Sequence, residues 1–120
     1  MKIKINHKLT AFNLNQMMRN RGGLHARNAS KKKLDRDLYF LIKPQVKNKL
    51  EGVYQVVATW LVPDLNRDLD NMLLKSIFDC MQENNLLVND NAKHITQITH
   101  KYEKVKIKDQ GVIIEFIEVV

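Results

Sequence analysis

The sequence predicts one small α/β domain, spanning residues 1–120, with a mixed sheet of about four strands and two main helices. Its 120 residues, 44% of them hydrophobic and 28% charged, are ordinary for a single globular domain with a modest core. Segments rich in β-branched or alternating residues are interspersed with segments whose apolar residues recur at helical spacing. The predicted order is strand, loop, helix, strand, helix, strand, strand, which is typical of helices packed on a sheet.

The first half of the chain is predicted to hold a strand, a long loop and a helix. Residues 2–8 alternate isoleucine with lysine and asparagine, as a half-buried strand does. Residues 9–29 show no clear period and are rich in asparagine and arginine, which indicates a loop. Ser30 is a suitable N-cap for the first helix, and apolar residues recur at helical spacing from there until Pro44 ends it.

The second half is predicted to hold a central strand, a second helix and two closing strands. Residues 53–62 are β-branched and aromatic, which favours a central strand. The second helix is predicted to begin within residues 68–71 and to end near Asn84, with an inward apolar stripe. Residues 95–107 and 112–120 are predicted as strands joined by a hairpin turn over 108–111.

Several functional classes are excluded by composition. The single cysteine, Cys80, rules out an intrachain disulfide, and its apolar helical context predicts a small buried side chain. One cysteine and four scattered histidines give no zinc-site spacing. No apolar run approaches the roughly 18 residues of a membrane span, and the N-terminus does not resemble a signal peptide. We therefore expect a cytoplasmic protein with no membrane partner.

The charge is unevenly divided along the chain. The net charge is +7, but residues 1–50 carry 13 Lys or Arg against two acids, whereas residues 51–120 carry seven against 11. No acid occurs between Lys8 and Leu34. A basic first half favours a polyanionic partner, because its cations neutralise phosphates and release counterions. The alternative is that the charge serves only solubility.

The basic segment of residues 8–33 is the candidate DNA-binding element, and a solvated surface loop is the alternative. Three of its lysines lie in the first turn of the predicted helix, where the helix dipole disfavours cations unless an anion is bound. One further arginine stands beside the acidic motif described next. The candidate DNA-binding residues are Arg19, Arg21, Arg27, Lys31, Lys32, Lys33 and Arg67.

Three aspartates form the candidate catalytic site. Asp68 and Asp70 stand two residues apart where the second helix is predicted to begin, and Asp90 follows in a polar turn. Carboxylates are ligands of Mg²⁺, which activates water and stabilises the leaving oxygen in phosphodiester hydrolysis. Lys75 can offset negative charge that develops on the phosphate. The alternative is that these acids are helix caps and ordinary turn residues.

Residues 60–95 resemble the signature of the RusA family, the crossover junction endodeoxyribonucleases of bacteria and phages. The resemblance is carried by Arg67-Asp68-Leu69-Asp70-Asn71, by Lys75, by Phe78-Asp79 and by the acidic turn at Asp90. The chain length, the N-terminal strand, the long loop, the helix opened by Ser30 and the two closing strands also match the family layout.

The resemblance implies a homodimer that binds four-way DNA junctions and nicks them symmetrically with Mg²⁺, or with Mn²⁺ in its place. It implies that Asp68, Asp70 and Asp90 are the catalytic, metal-binding acids and that Lys75 is the catalytic lysine.

Two positions depart from the family pattern. Lys75 follows Asp70 by five residues instead of four, which on a regular helix separates the two side chains by about 140°. Either a one-residue bulge restores a common face, or Lys75 is not catalytic. Asn89 stands where the family often has an acid before the final aspartate, which leaves Asp90 itself matched.

The sequence thus predicts a Mg²⁺-dependent nuclease that resolves Holliday (four-way) junctions in DNA recombination and repair and leaves 5′-phosphate ends. A dimer is expected because a symmetric junction requires two paired cuts. Two alternatives stay open. One is a non-catalytic, basic nucleic-acid-binding module, and the other is a nuclease that acts on flaps or other branched DNA.

Overall fold

In the residues that the structure describes, one four-stranded mixed sheet and two helices form the fold. The structure, a computed structural model, describes residues 1–13, 23–65 and 72–119, and for residues 23–30 the backbone alone. Within these residues, no helix is both long and apolar enough to cross a bilayer. The elements are β1 (Lys2–Ile5), α1 (Gly23–Ile42), β2 (Tyr54–Val62), α2 (Lys75–Glu83), β3 (Ile95–Lys104) and β4 (Gly111–Glu118), with 3₁₀ turns at Leu9–Phe12, Lys43–Gln45 and Ile107–Asp109.

The strand order across the sheet is β1-β4-β2-β3. Strand β2 pairs antiparallel with β4 and parallel with β3, and β1 pairs antiparallel with β4. The predicted fold class, a mixed sheet of about four strands with two main helices, is therefore confirmed. The prediction that β2 is a central strand is also confirmed, as its β-branched and aromatic composition requires.

The predicted hairpin between the last two strands is wrong. Strands β3 and β4 lie on opposite sides of β2, so residues 105–110 cross the end of β2 instead of making a tight turn. A hairpin joins neighbours about 4.8 Å apart, whereas this connection spans about twice that distance. Pairing β2 on both edges satisfies the backbone groups of the most buried strand, which accounts for the order.

The core lies on one face of the sheet, under both helices. Along β2, buried Val56, Ala58 and Trp60 alternate with the more exposed Gln55 and Val57. The same alternation in β1 and β4 supplies isoleucine, valine and phenylalanine to a single cluster that includes apolar residues of α1 and α2. Among the described residues, no polar or charged side chain is buried.

Helix α1 begins earlier than predicted. It starts at Gly23, so Ser30 lies inside the helix and is not its N-cap. Residues 23–29 contain no proline or β-branched residue and include two alanines, so helix propensity continues through a stretch that shows no clear apolar period. The predicted end is confirmed, because α1 stops at Ile42 and Pro44 lies in the following 3₁₀ turn.

Helix α2 begins later than predicted. Residues 72–74 precede it in non-helical conformation, and its first residue is Lys75. Met72 forms an antiparallel bridge with Asn13, and the Leu73 amide donates to the Phe12 carbonyl oxygen at 2.9 Å. This long-range pairing holds Met72 and Leu73 outside α2 despite the helical periodicity of the segment.

Cys80 is fully buried on α2, as its apolar context predicts. Burial raises the pKa of its thiol, and this outweighs the opposing effect of the Asn84 amide nitrogen, which lies 3.6 Å from the sulfur. A protonated and enclosed thiol behaves as a small hydrophobic side chain.

Candidate functional site

Part of the predicted site lies outside the described residues. Asp68, Asp70 and Arg67 fall within residues 66–71, and Arg19 and Arg21 fall within residues 14–22. The backbone of Arg27 belongs to α1, and Lys31, Lys32 and Lys33 follow it on the same helix with exposed side chains. Because α1 starts at Gly23, the prediction that these lysines occupy the first helical turn, against the helix dipole, is wrong. The geometry available for the site is therefore that of Lys75, Asp90 and their surroundings.

Lys75 is exposed at the first position of α2. Its Nζ lies 3.3 Å from Oδ2 of Asp79, one helical turn later. Because residues 72–74 are not helical, the angle of a regular helix does not relate Lys75 to Asp70. The five-residue spacing therefore does not decide which way Lys75 faces relative to the aspartates.

Asp90 is exposed in the loop between α2 and β3. The Asn91 amide donates to Oδ1 of Asn89 at 3.0 Å, so the turn is held by Asn89. The loop is anchored to Leu50, whose amide and carbonyl groups bond to the backbone at Leu86 and Val88. Within the described part of the chain, the Asp90 carboxylate makes no ion pair and is accessible to a cation.

Lys75 and Asp90 are attached to opposite ends of α2. The nine residues of this helix span about 13 Å. In residues 1–13, 23–65 and 72–119, no group of three or more histidine, cysteine or acidic side chains is placed to hold a metal ion. The predicted site needs Asp68 and Asp70 beside Asp90, and it stays a prediction. The donor chemistry of three carboxylates does fit Mg²⁺.

A cavity of about 310 Å³ lies between the start of α2 and strand β3. The first of its lining residues, Met72, directly follows residues 66–71 in the chain. Most of its wall is apolar, and the two polar side chains in it are a lysine and a histidine. Its lining residues are Met72, Leu73, Leu74, Lys75, Phe78, Ile98 and His100.

His100 is held in this cavity wall by Trp60. The indole Nε1–H donates to Nδ1 of His100 at 2.9 Å, and the two rings are nearly coplanar, with an interplanar angle of 7°. Indole nitrogen can only donate, so Nδ1 is the acceptor and the neutral imidazole carries its proton on Nε2. Burial lowers the pKa of His100, which keeps the ring neutral at pH 7.

Sequence reasoning missed His100 because its significance depends on strand register. Parallel pairing of β2 and β3 sets Ala58 opposite His100 and thereby brings Trp60 within hydrogen-bonding distance. A tryptophan in one strand and a histidine in another, forty residues apart, give no local signal of this contact.

Acidification is expected to destabilise the protein through His100. The unfolded chain binds a proton on this imidazole more readily than the folded chain, so stability falls as the pH drops below about 6.5. Protonation of Nδ1 also removes the acceptor of the Trp60 hydrogen bond, and because His100 is exposed the cost is well below about 1 kcal/mol. Urea unfolding at pH 7.5 and at pH 5 gives the free energy of unfolding of the parent and of His100→Gln. Between these two pH values, the variant should lose less stability than the parent.

The difference between the two proteins is the relevant quantity, because it isolates the contribution of His100 from every other effect of pH on stability. Trp60 is the single tryptophan of the chain, so its fluorescence reports the same event directly. An equal loss of stability in both proteins would contradict the assignment to His100.

Two lysines close in sequence to the anchor of the Asp90 loop were also missed. Lys47 and Lys49 are exposed and line a second cavity of about 390 Å³, and Lys49 directly precedes the Leu50 anchor of the Asp90 loop. They add positive charge outside the predicted basic segment. Only the pairing of Leu50 with Leu87 brings these sequence positions together.

Comparison with known proteins finds no protein-family model and no curated protein that matches this chain. The resemblance to the RusA family therefore depends on residues 67–71, 75, 78–79 and 90 and on the layout of the chain. It stays a prediction.

Proposed function

We propose that this protein is a Mg²⁺-dependent endodeoxyribonuclease that cuts branched DNA, with the four-way junction as its substrate. The observation that carries the proposal is the pair Asp68 and Asp70, placed directly before Lys75, with Asp90 following in an accessible turn. A basic first half of the chain supports a phosphate-rich substrate. The observed fold class agrees with the architecture that the family resemblance implies.

The three aspartates would hold the ion, with Mn²⁺ as a substitute for Mg²⁺. When bound, a divalent ion supplies a more acidic water and neutralises charge on the phosphate. For Asp68 and Asp70 to share the ion with Asp90, the segment that holds these two aspartates must lie beside the Asp90 turn.

Lys75 has a defined part in the proposal. Its ammonium group is exposed at the mouth of the cavity, where it can bind a non-bridging phosphate oxygen. Its ion pair with Asp79 is exposed and therefore weak, so the lysine can exchange that partner for a phosphate. A homodimer would place two such sites on one junction and allow paired, symmetric cuts.

The proposal is tested by incubating the purified protein with a labelled four-way junction in Mg²⁺, Mn²⁺, Ca²⁺ or EDTA. We expect paired nicks with 5′-phosphate ends in Mg²⁺ and Mn²⁺, and binding without cleavage in EDTA. Flap, fork and linear duplex substrates run in parallel identify the preferred branch. Equal cleavage with and without metal would overturn the proposal.

Lys75→Met is expected to slow junction cleavage about 100-fold, because the phosphate loses a positioned cation. The matched control is Asp79→Asn, which removes the ion-pair partner and leaves the lysine. It should change the free energy of unfolding by less than about 0.5 kcal/mol and leave cleavage intact. Single-turnover assays at saturating Mg²⁺ give the cleavage rates of both variants, and urea unfolding gives their stabilities. If the two variants behave alike, Lys75 serves only the ion pair.

A non-catalytic nucleic-acid-binding module is the second candidate function. The observation in its favour is that Lys75 pairs with Asp79 and that the Asp90 turn is ordinary asparagine turn chemistry. This candidate predicts junction binding that does not change with metal and no strand cleavage under any condition. A nuclease specific for flaps shares the proposed site and differs only in the substrate panel.

A further inference from the structure

The outward face of α1 carries a row of cations around one exposed aromatic ring. Lys33, Arg36 and Phe40 are spaced i, i+3 and i+7, so they share one side of the helix. Lys43 continues this row in the 3₁₀ turn that follows α1. All three cationic side chains are exposed, and 67% of the Phe40 surface is accessible. These four residues are called the α1 outer face.

No acid opposes these cations within the face. Asp35 is about 100° around the helix from Arg36 and so lies outside the row, and its backbone carbonyl oxygen accepts a weak bond from the thiol of Cys80. Asp37 lies at the edge of the face, and its Oδ2 is 3.3 Å from Nε2 of His7. Buried Leu38 and Ile42 mark the inward side of the helix. The α1 outer face is therefore a surface of uniform positive charge.

The Phe40 ring is held at this surface and is not part of the core. It meets the ring of Tyr39 edge to face, with centroids 5.6 Å apart. Tyr39 is partly buried against the core cluster, so it supports Phe40 from one side and leaves a ring face accessible. An accessible aromatic ring between cations is the arrangement that binds single-stranded nucleic acid, with bases on the ring and phosphates on the cations.

We propose that the α1 outer face binds an unpaired stretch of DNA, with an unstacked base on Phe40 and the flanking phosphates on Lys33, Arg36 and Lys43. From Lys33 to Lys43 the surface extends about 15 Å, which matches a few nucleotides of extended strand. This inference depends on the proposed function only in that DNA is the ligand. It requires no metal site and no cleavage.

The aromatic ring and the cations have different roles in DNA binding. Stacking on Phe40 acts on unpaired bases alone, since the bases of a duplex are already stacked. The cations bind the phosphates of either form and make binding dependent on salt. The binding partner is thus DNA with a single-stranded segment, such as the opened centre or the tail of a branched molecule.

The test measures binding by fluorescence anisotropy in EDTA, where no metal-dependent cleavage occurs. The probes are a duplex with a single-stranded tail and a fully paired duplex of equal length. Phe40→Leu keeps an apolar side chain and should weaken tail binding about tenfold, with duplex affinity unchanged. Phe40→Trp should keep the affinity, and its indole fluorescence should be quenched when bases stack on it.

Arg36→Gln should weaken binding to both DNA probes. It should also make the plot of log K against log salt less steep by an amount that corresponds to about one phosphate contact. Lys108→Gln is the matched control, because Lys108 is an exposed lysine on the 3₁₀ turn at Ile107–Asp109. It should leave affinity for both probes unchanged. Thermal unfolding of each variant verifies that the fold is intact.

Three results would overturn the inference: equal tail affinity of Phe40→Leu and the parent, equal losses on tail and duplex, or a change in sedimentation that assigns Phe40 to self-association. Failure of the proposed nuclease function can be distinguished from failure of this binding surface. If Phe40→Leu loses tail affinity while no metal supports cleavage, the binding surface stands and the nuclease proposal does not. If junctions are cut while Phe40→Leu binds the tailed probe normally, the nuclease proposal stands and the binding surface does not.

Discussion

Asp70→Asn is expected to lower the rate of junction cleavage at least about 1,000-fold, because a neutral amide replaces a carboxylate at the proposed metal site. The substitution is nearly isosteric. It also preserves any capping function, since asparagine caps helices as well as aspartate does. The free energy of unfolding should therefore change by less than about 1 kcal/mol. Single-turnover cleavage at saturating enzyme, together with urea unfolding, gives both quantities.

Asp68→Asn and Asp90→Asn should behave in the same way, and their loss of activity should be relieved in part by a high concentration of Mn²⁺. The control is Asp109→Asn, an exposed acid on the 3₁₀ turn before β4. It should cut at the parental rate. Parental cleavage by Asp70→Asn would assign these acids to caps and turns and leave the non-catalytic module as the function.

Gly111→Ala is expected to destabilise the fold by about 3 kcal/mol or more, the range seen for severe backbone clashes. A β-carbon at this position would lie 2.0 Å from the carbonyl oxygen of Ile5 and 3.0 Å from its carbonyl carbon. Both obstacles are backbone atoms of the neighbouring strand and cannot move without breaking the β1–β4 pairing. The φ angle of Gly111, +155°, is also one that side-chain-bearing residues rarely adopt.

Gly52→Ala is the matched control for this prediction. Its added β-carbon would meet the flexible end of Glu118 at 2.9 Å and the Tyr54 hydroxyl at 3.3 Å. Side-chain ends can rotate away, so a loss of less than about 1 kcal/mol is expected. Equilibrium urea unfolding of the three proteins measures the difference. Equal stabilities of Gly111→Ala and Gly52→Ala would mean that β1 does not approach β4 this closely.

Much of the site's environment can be read from the sequence, but its assembly cannot. Exposure of Lys31–Lys33 and burial of Cys80 follow from local composition and periodicity. The neutral tautomer of His100 follows from register between two parallel strands, and the position of Lys49 beside the Asp90 loop follows from a single backbone bridge. Neither contact has a signature in neighbouring residues, because each joins segments about forty residues apart.

By itself, the sequence determined the class of fold, the central strand β2, the end of α1 near Pro44 and the division of charge between the two halves. These features depend on side chains close in sequence, through alternation, ring constraint and composition. The tertiary structure alone decided that β4 lies between β1 and β2 and that residues 72–74 lie outside α2. The physical reason is long-range backbone pairing: a strand takes the partner that satisfies its hydrogen bonds, and residue 73 bonds to Phe12 in preference to its own helix. Lys75 consequently begins α2, and its relation to Asp70 is set by the segment between them instead of by helical spacing.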